Sequence, residues 1–366
     1  MRFCLTLYCA LVVNCILVAQ EHITNGINKL MPKPIPAAPN VASLGKYGDY
    51  QVNLFNGLPD ITIPIFEAKS GSLSLPITLK YHASGHKPTD VASWVGLGWS
   101  IEAGGQVSGM VRGKPDGVDY YYGSLNTNLS VCGPPGTGTY YYLKDLANGW
   151  KDGEPDLFSY AFPGGGGKFI VKNGTSPILI PHSGVKVATP NGLSHFELTD
   201  EQGILYRFGK NSQNQYATDG TTAYHGGNGT SSTSAWHLME MNAPNSDDQI
   251  KISYQNLGTS STHDISYVYT LIDLCDASNG ATCPLPFNYQ PELKNLDTNS
   301  TQKGISLIEF EGGKVEFIMG PQRLDLPTIL NRLSQIKIYS KQANGFRLEK
   351  TVNFIFSYFT NSIGGN

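Results

Sequence analysis

Charge is scarce in this chain. Asp, Glu, Lys and Arg make up 15% of its 366 residues, too few to clothe long surface helices, which draw heavily on Glu, Lys and Ala. The formal net charge is −3, and no run of basic residues is present that could grip phosphates, so nucleic acid is not expected as a partner. Past Val18 no apolar stretch reaches the roughly 20 residues a membrane helix needs, and none is expected beyond a signal peptide. Cysteine is sparse as well: six in all, with Cys4, Cys9 and Cys15 in the first apolar stretch. Cys132, Cys275 and Cys283 remain, without CxxC pairs or matched histidines, so neither a zinc site nor another cofactor is indicated. Nucleotide and hydrolase signatures are missing too. The glycine tract before Lys168 has Phe162 where a phosphate loop begins and Phe169 where it needs Ser or Thr. Gly96-Leu-Gly98 runs on to Ile101, breaking the dinucleotide fingerprint. There is no Gly-x-Ser-x-Gly and no His-Glu-x-x-His.

What is abundant is turn and strand material: 41 Gly, 22 Pro and 20 Tyr. Residues 1–19 read as a secretory signal, with Arg2 as its positive end, an apolar Phe3–Val18 and a small Ala19 for cleavage. Lipidation at Cys15 is the alternative, disfavoured by the large Asn14 before it. Residues 20–45 read as an extended leader, because Met31–Pro39 carries four prolines. From 46 to 366 the pattern is all-β, with an internal boundary near 160 or 230. Leu73, Leu75, Ile77, Leu79 and Tyr81 alternate with polar or proline positions, the mark of a half-buried strand. Ile61, Ile63 and Ile65 precede it, with Lys69-Ser-Gly71 as the turn. Further strands are expected at 168–172, 177–181, 194–198, 204–208, 250–254, 305–310, 314–318, 333–339 and 351–358. Residues 114–150 and 256–303 read as long loops. The expected architecture is a sandwich or stack of antiparallel sheets with few or no helices.

Several residues invite a chemical reading. His82 and His86 have the spacing of a helical metal pair, with Asp90 close by, but Gly85 and Pro88 oppose a helix, and no metal site is expected. Asp247-Asp248 reads as a solvated turn. Trp94 and Trp99 flank Val95-Gly-Leu-Gly98 and read as core rings packed against glycines. Three adjacent rings cannot share one strand face, so Tyr120, Tyr121, Tyr122 and Tyr140, Tyr141, Tyr142 should be partly exposed, and exposed tyrosines suit glycan or protein contact. In an exported chain Cys275 and Cys283 could close a small loop as a disulfide; isolated thiols are the other reading.

The run Tyr81–Gly105 resembles the opening module of secreted bacterial Rhs/YD-repeat proteins, especially of the Bacteroidetes type. Pro39–Gly48, Gly57–Ile65, Gly153–Phe162 and Ala235–Met241 extend the likeness, and Asp200–Phe208 is similar to a single degenerate repeat unit. His86 departs from it, standing where the family more often has an aliphatic residue. The resemblance implies an exported, non-enzymatic module, structural or adhesive in role. Its implied partner is a downstream repeat region or another protein at the cell surface, and an unpaired strand is expected near 351–358. A glycan-binding module using the six tyrosines is the alternative.

Overall fold

The computed structural model describes Phe55 and residues 57–87, 90–116, 138–148, 152–172, 176–225, 228–268, 292–326 and 330–358. The signal, the leader, Tyr120–Tyr122, Cys132, Cys275 and Cys283 lie outside the described residues. The chain divides into two units, Met1–Pro59 and Asp60–Asn366, and all that follows concerns the second. It is all-β. Positions 160 and 230 fall inside strands.

The first two strands are the hairpin the alternation predicts. β1 (Ile61–Ser70) and β2 (Leu73–Tyr81) turn at Gly71–Ser72, and β3 (Trp99–Glu102) completes a three-stranded sheet in the order β1-β2-β3. Leu73, Leu75 and Ile77 are buried. On β1 the predicted phase slips. A bulge between Pro64 and Phe66 turns Ile63 outward and leaves Ile65 and Ala68 inside, because a prolyl nitrogen cannot donate to the ladder and the extra residue shifts the pleat. Pro76 sits beyond the reach of β3, which pairs only with Thr78–Tyr81.

The larger sheet has fourteen strands. They are β4 (Gln106–Met110), β5 (Leu157–Phe162), β6 (Gly165–Lys172), β7 (Ser176–Ile180), β8 (Lys186–Ala188), β10 (Phe196–Thr199) and β11 (Leu205–Phe208). The long β12 (Thr218–His225), β13 (Asn228–Asn242), β14 (Gln249–Val268) and β15 (Glu292–Phe310) follow, then β16 (Gly313–Gln322), β17 (Asn331–Gln342) and β18 (Gly345–Asn353). The short β9 (Pro190–Leu193) stands outside this ladder. The main path runs β18-β17-β16-β15-β12-β13-β4-β5-β6-β7, with β8, β10, β11 and β14 branching from it.

Three expectations need correction. Residues 256–303 are not simply loop: β14 and β15 pair without interruption of direction from Lys251↔Glu309 to Val268↔Glu292. Their facing middles, Thr259–Thr262 and Thr298–Thr301, are Ser, Thr and Asn throughout, so the polar–apolar alternation that reveals a strand is missing there, although threonine is a good strand former. Residues 114–150 contain a helix, α1 (Gly138–Ala147). Lys144 in its last turn complements the helix dipole, whereas the preceding Gly-Pro-Pro-Gly and the tyrosine triplet point away from helix. The closing strand also begins earlier than expected and stops at Asn353.

Where the hairpin meets the large sheet, Phe66 packs on Phe310 with ring centroids 5.6 Å apart, and Ser70 accepts the Glu311 N–H at 2.8 Å. A second nucleus is aromatic. Phe158 stacks on Phe169 at 5.2 Å, Phe196 meets Trp236 edge-on at 4.9 Å, and Phe162 lies 4.5 Å from Tyr206. Such pairs each contribute about 0.5–1.5 kcal/mol beyond the area they bury.

Candidate functional site

β18 is an outer strand of the large sheet. One side pairs with β17 from Gln342↔Gly345 to Gln335↔Asn353, and the other carries no strand among the described residues. Phe346 and Leu348 are half-exposed along it. Arg347 and Glu349 form an ion pair at 2.8 Å, and Ser340 donates to Glu349 at 2.5 Å. The opposite end of the path, β7, carries Pro177 near its start, a residue that blunts an edge. β18 has no proline, and its charged side chains guard it against indiscriminate pairing.

A cleft of about 710 Å³ is lined by Trp94, Glu102, Gln106, His237, Tyr254 and Lys303 among others. His237 Nε2 lies 3.0 Å from Asp219 Oδ2 without the alignment of a hydrogen bond, and its ring rests on that of Tyr254 at 4.9 Å. Asp219 also accepts the Lys303 N–H at 2.8 Å. The Tyr254 hydroxyl donates to the Leu238 carbonyl at 2.8 Å, and burial raises the phenol far above its ordinary value. An imidazole beside a carboxylate is a base where a hydroxyl, a thiol or water can reach it. Thr78 and Lys303 line the same cleft, with neither serine nor cysteine among its described lining residues. His237, Asp219 and Tyr254 also tie β12, β13, β14 and β15 together.

A third group binds the two ends of the segment containing α1. The Asp156 carboxylate accepts the N–H of Arg112 at 2.9 Å and of Asp116 at 2.8 Å, while Asp116 accepts the N–H of Asp156 at 3.2 Å. Asp152 takes the N–H of Lys114 at 2.8 Å and of Glu154 at 2.9 Å. Asp156 is 5% exposed. Burial, then the nearby Asp156 charge, pushes the Asp116 carboxyl up to about 7, and burial raises Asp156 as well.

The residues singled out from sequence scatter. His82 Nδ1 faces Ser84 at 2.8 Å, His86 Nε2 faces the Tyr81 hydroxyl at 3.1 Å, and Asp90 accepts the Lys87 N–H at 2.8 Å. The three edge one hollow but turn to separate partners, and no group of three such side chains among the described residues is arranged for a metal ion. Trp94 stacks on Phe317 at 6.4 Å and Trp99 tilts against Tyr81 at 5.0 Å, so both indoles pack in the protein. Asp248 is a turn residue that accepts from Ser246 at 2.6 Å. Tyr140–Tyr142 lie on α1, where only Tyr141, at 54%, is well exposed; successive helical residues point about 100° apart, so the triplet is no flat platform. The Asp116–Asp156 clasp and the His237–Asp219 contact were missed, since their members are 40 and 18 positions apart and carry no local spacing signal.

No protein-family model matches the chain, and no curated protein does. Among solved structures it is similar to the N-terminal domain of effector protein SpvB from Salmonella typhimurium strain LT2, at 13% identity, over 79% of this chain and 91% of that one, with a TM-score of 0.33. That likeness is too loose to extend a role to this chain. Among the described residues no helix is long and apolar enough to cross a membrane.

Proposed function

We propose that this protein is an exported, non-enzymatic β-module whose work is to hold another β-rich polypeptide at its sheet edge. The observation that carries the reading is β18, a nine-residue strand whose outer side pairs with no strand among the described residues and which carries two half-exposed apolar side chains. An added strand gains its affinity from the main chain and its selectivity from the alternate side chains it meets. The resemblance of Tyr81–Gly105 to Rhs/YD-repeat proteins supports the same role and suggests the partner: a repeat region of that type, or another protein at the cell surface.

The β10–β11 hairpin adds weight. Asp200 accepts the N–H groups of Gln202 at 3.0 Å and Ile204 at 2.8 Å and the Tyr206 hydroxyl at 3.0 Å. This tyrosine–aspartate pair closes the turn, and the Tyr206 hydroxyl also reaches the Pro163 carbonyl at 3.4 Å. A photo-crosslinking residue in place of Leu348, in protein recovered from the envelope and medium of its own host, tests the proposal. Adducts with a β-repeat polypeptide or a surface protein are expected there and not from the exposed Gln213. Equal labelling at both positions, or no exported protein at all, would overturn it.

A further inference from the structure

Past Asn353 the chain leaves the ladder but keeps its alternation. Phe354, whose N–H bonds the Ser334 carbonyl at 2.9 Å, Phe356 and Tyr358 turn inward, while Ile355 and Ser357 face solvent. The two later rings lie against Arg332, its Cζ 5.1 Å from the Phe356 centroid and 6.0 Å from that of Tyr358. Rings so placed hold a planar guanidinium in one orientation.

Donors and acceptors around Arg332 do not balance. Arg332 Nη1 donates to the Tyr358 hydroxyl at 3.4 Å, and the Leu324 N–H donates to the same oxygen at 3.3 Å. A phenol oxygen that accepts twice still has its own O–H to give. No carboxylate pairs with Arg332 among the described residues. Its neighbour Arg323 is different: buried, it grips Asp325 at 3.0 and 2.6 Å and donates to the Ala92 carbonyl at 2.6 Å, so its charge is answered within the protein. Asp90 also lines this hollow, but its carboxylate takes the Lys87 N–H and is shared with the next depression. Around Arg332, donors exceed acceptors.

The hollow, about 640 Å³, has mostly apolar walls, broken by Asp90, Ser93, Ser357 and the Arg323–Asp325 pair. Leu324 is 79% exposed, and Val91 and Leu97 are open to solvent beside it. Volume of this order suits a small ligand, and a charge-assisted fork at one end suits a planar anion.

We propose that this hollow binds the carboxylate of an apolar molecule, Arg332 and Tyr358 taking its oxygens while Val91, Leu97 and Leu324 cover the apolar body. Calorimetric titration of the whole protein tests it with two acids and their neutral counterparts: octanoate against octanol, and an acetylated Leu-Leu-Phe peptide as free acid against its amide. An acid should bind about tenfold or more tighter than its counterpart, the ratio expected for one charge-assisted bond. Preference for octanoate alone or for the peptide acid alone supports the proposal and names the source of the carboxylate. Arg332→Gln should abolish the preference, and Tyr358→Phe should reduce it about threefold to tenfold. Should Arg332→Gln fail to fold, Tyr358→Phe carries the test, since it removes one oxygen and no ring. Equal binding of acid and neutral partners, a preference that survives both substitutions, or no binding at about millimolar ligand would overturn the proposal.

Discussion

Two single residues show how tightly the fold is specified. Gly98 has φ +74°, and a Cβ there would lie 2.7 Å from His86 Cε1 and 2.8 Å from Tyr81 Cε2. Both the backbone and the neighbours therefore require glycine, and Gly98→Ala should lower stability by about 2 kcal/mol in chemical denaturation. Asp116 makes a prediction about pH. Its folded value of about 7 lies well above the roughly 3.9 of an unfolded aspartate, so between those limits the folded state keeps a proton the unfolded chain has lost. Stability on this account falls as pH rises from 4 to 7 and then levels. Asp116→Asn, neutral throughout and still able to accept from the Asp156 N–H, should flatten that fall. After allowance for solvent screening the gain at pH 8 should be about 1 kcal/mol, read from thermal unfolding across pH 5 to 8. A wild-type profile that climbs through this window would contradict the assignment.

At the scale of elements, legibility followed burial. The β1–β2 hairpin, β6, β10, β11 and the β15–β16 turn at Glu311-Gly312 could be read because one face is largely apolar and the other is not, and β7 because it is a short apolar run between prolines. β12, the outer part of β13 and the facing halves of β14 and β15 could not. Thr221 stands between Ser232 and Ser300, and Ser300 opposes Ser260, a row of hydroxyls across four strands. Water on both sides erases the period that sequence reading relies on. The candidate edge was legible in outline: an apolar strand near 351–358 was expected, and the alternation persists there, but pairing ends at Asn353 because Phe354 is the last residue to bond β17. The cleft and the clasp were not legible, since both arise from sheet order. From β11, Arg207 bonds Glu197 on β10 and Glu240 on β13, each at 3.0 Å, and Glu240 is 1% exposed. Arg207→Met would leave that carboxylate buried without its cation and should cost about 3 kcal/mol; adding Glu240→Leu should recover some of the loss. A double variant no more stable than the single one would show that Ser212, which also bonds Glu240 at 2.7 Å, is the partner that matters.

In the molecule as a whole, one ladder joins regions of unequal strength. The aromatic nucleus and the packed hairpin secure β5, β6, β10, β11 and the inner half of β13, whereas the outer halves of β14 and β15 rest on backbone bonds with little apolar burial. Hydrogen exchange should therefore report slow amides at Trp236–Met241 and at Val315–Phe317, and faster ones at Thr259–Ile265. Uniform protection would mean the outer strands are covered by something else. The same geometry has a mechanical side. Antiparallel neighbours joined across a narrow ladder come apart rung by rung when drawn from their free ends, whereas a body sheared along its strands must break many rungs together. A load drawing Val268 and Glu292 apart would unzip in sequence the ten outer pairs, from Val268↔Glu292 to Thr259↔Thr301. The arm would lengthen under modest tension while the sheet beneath it kept its form, a tether that yields before its anchor does.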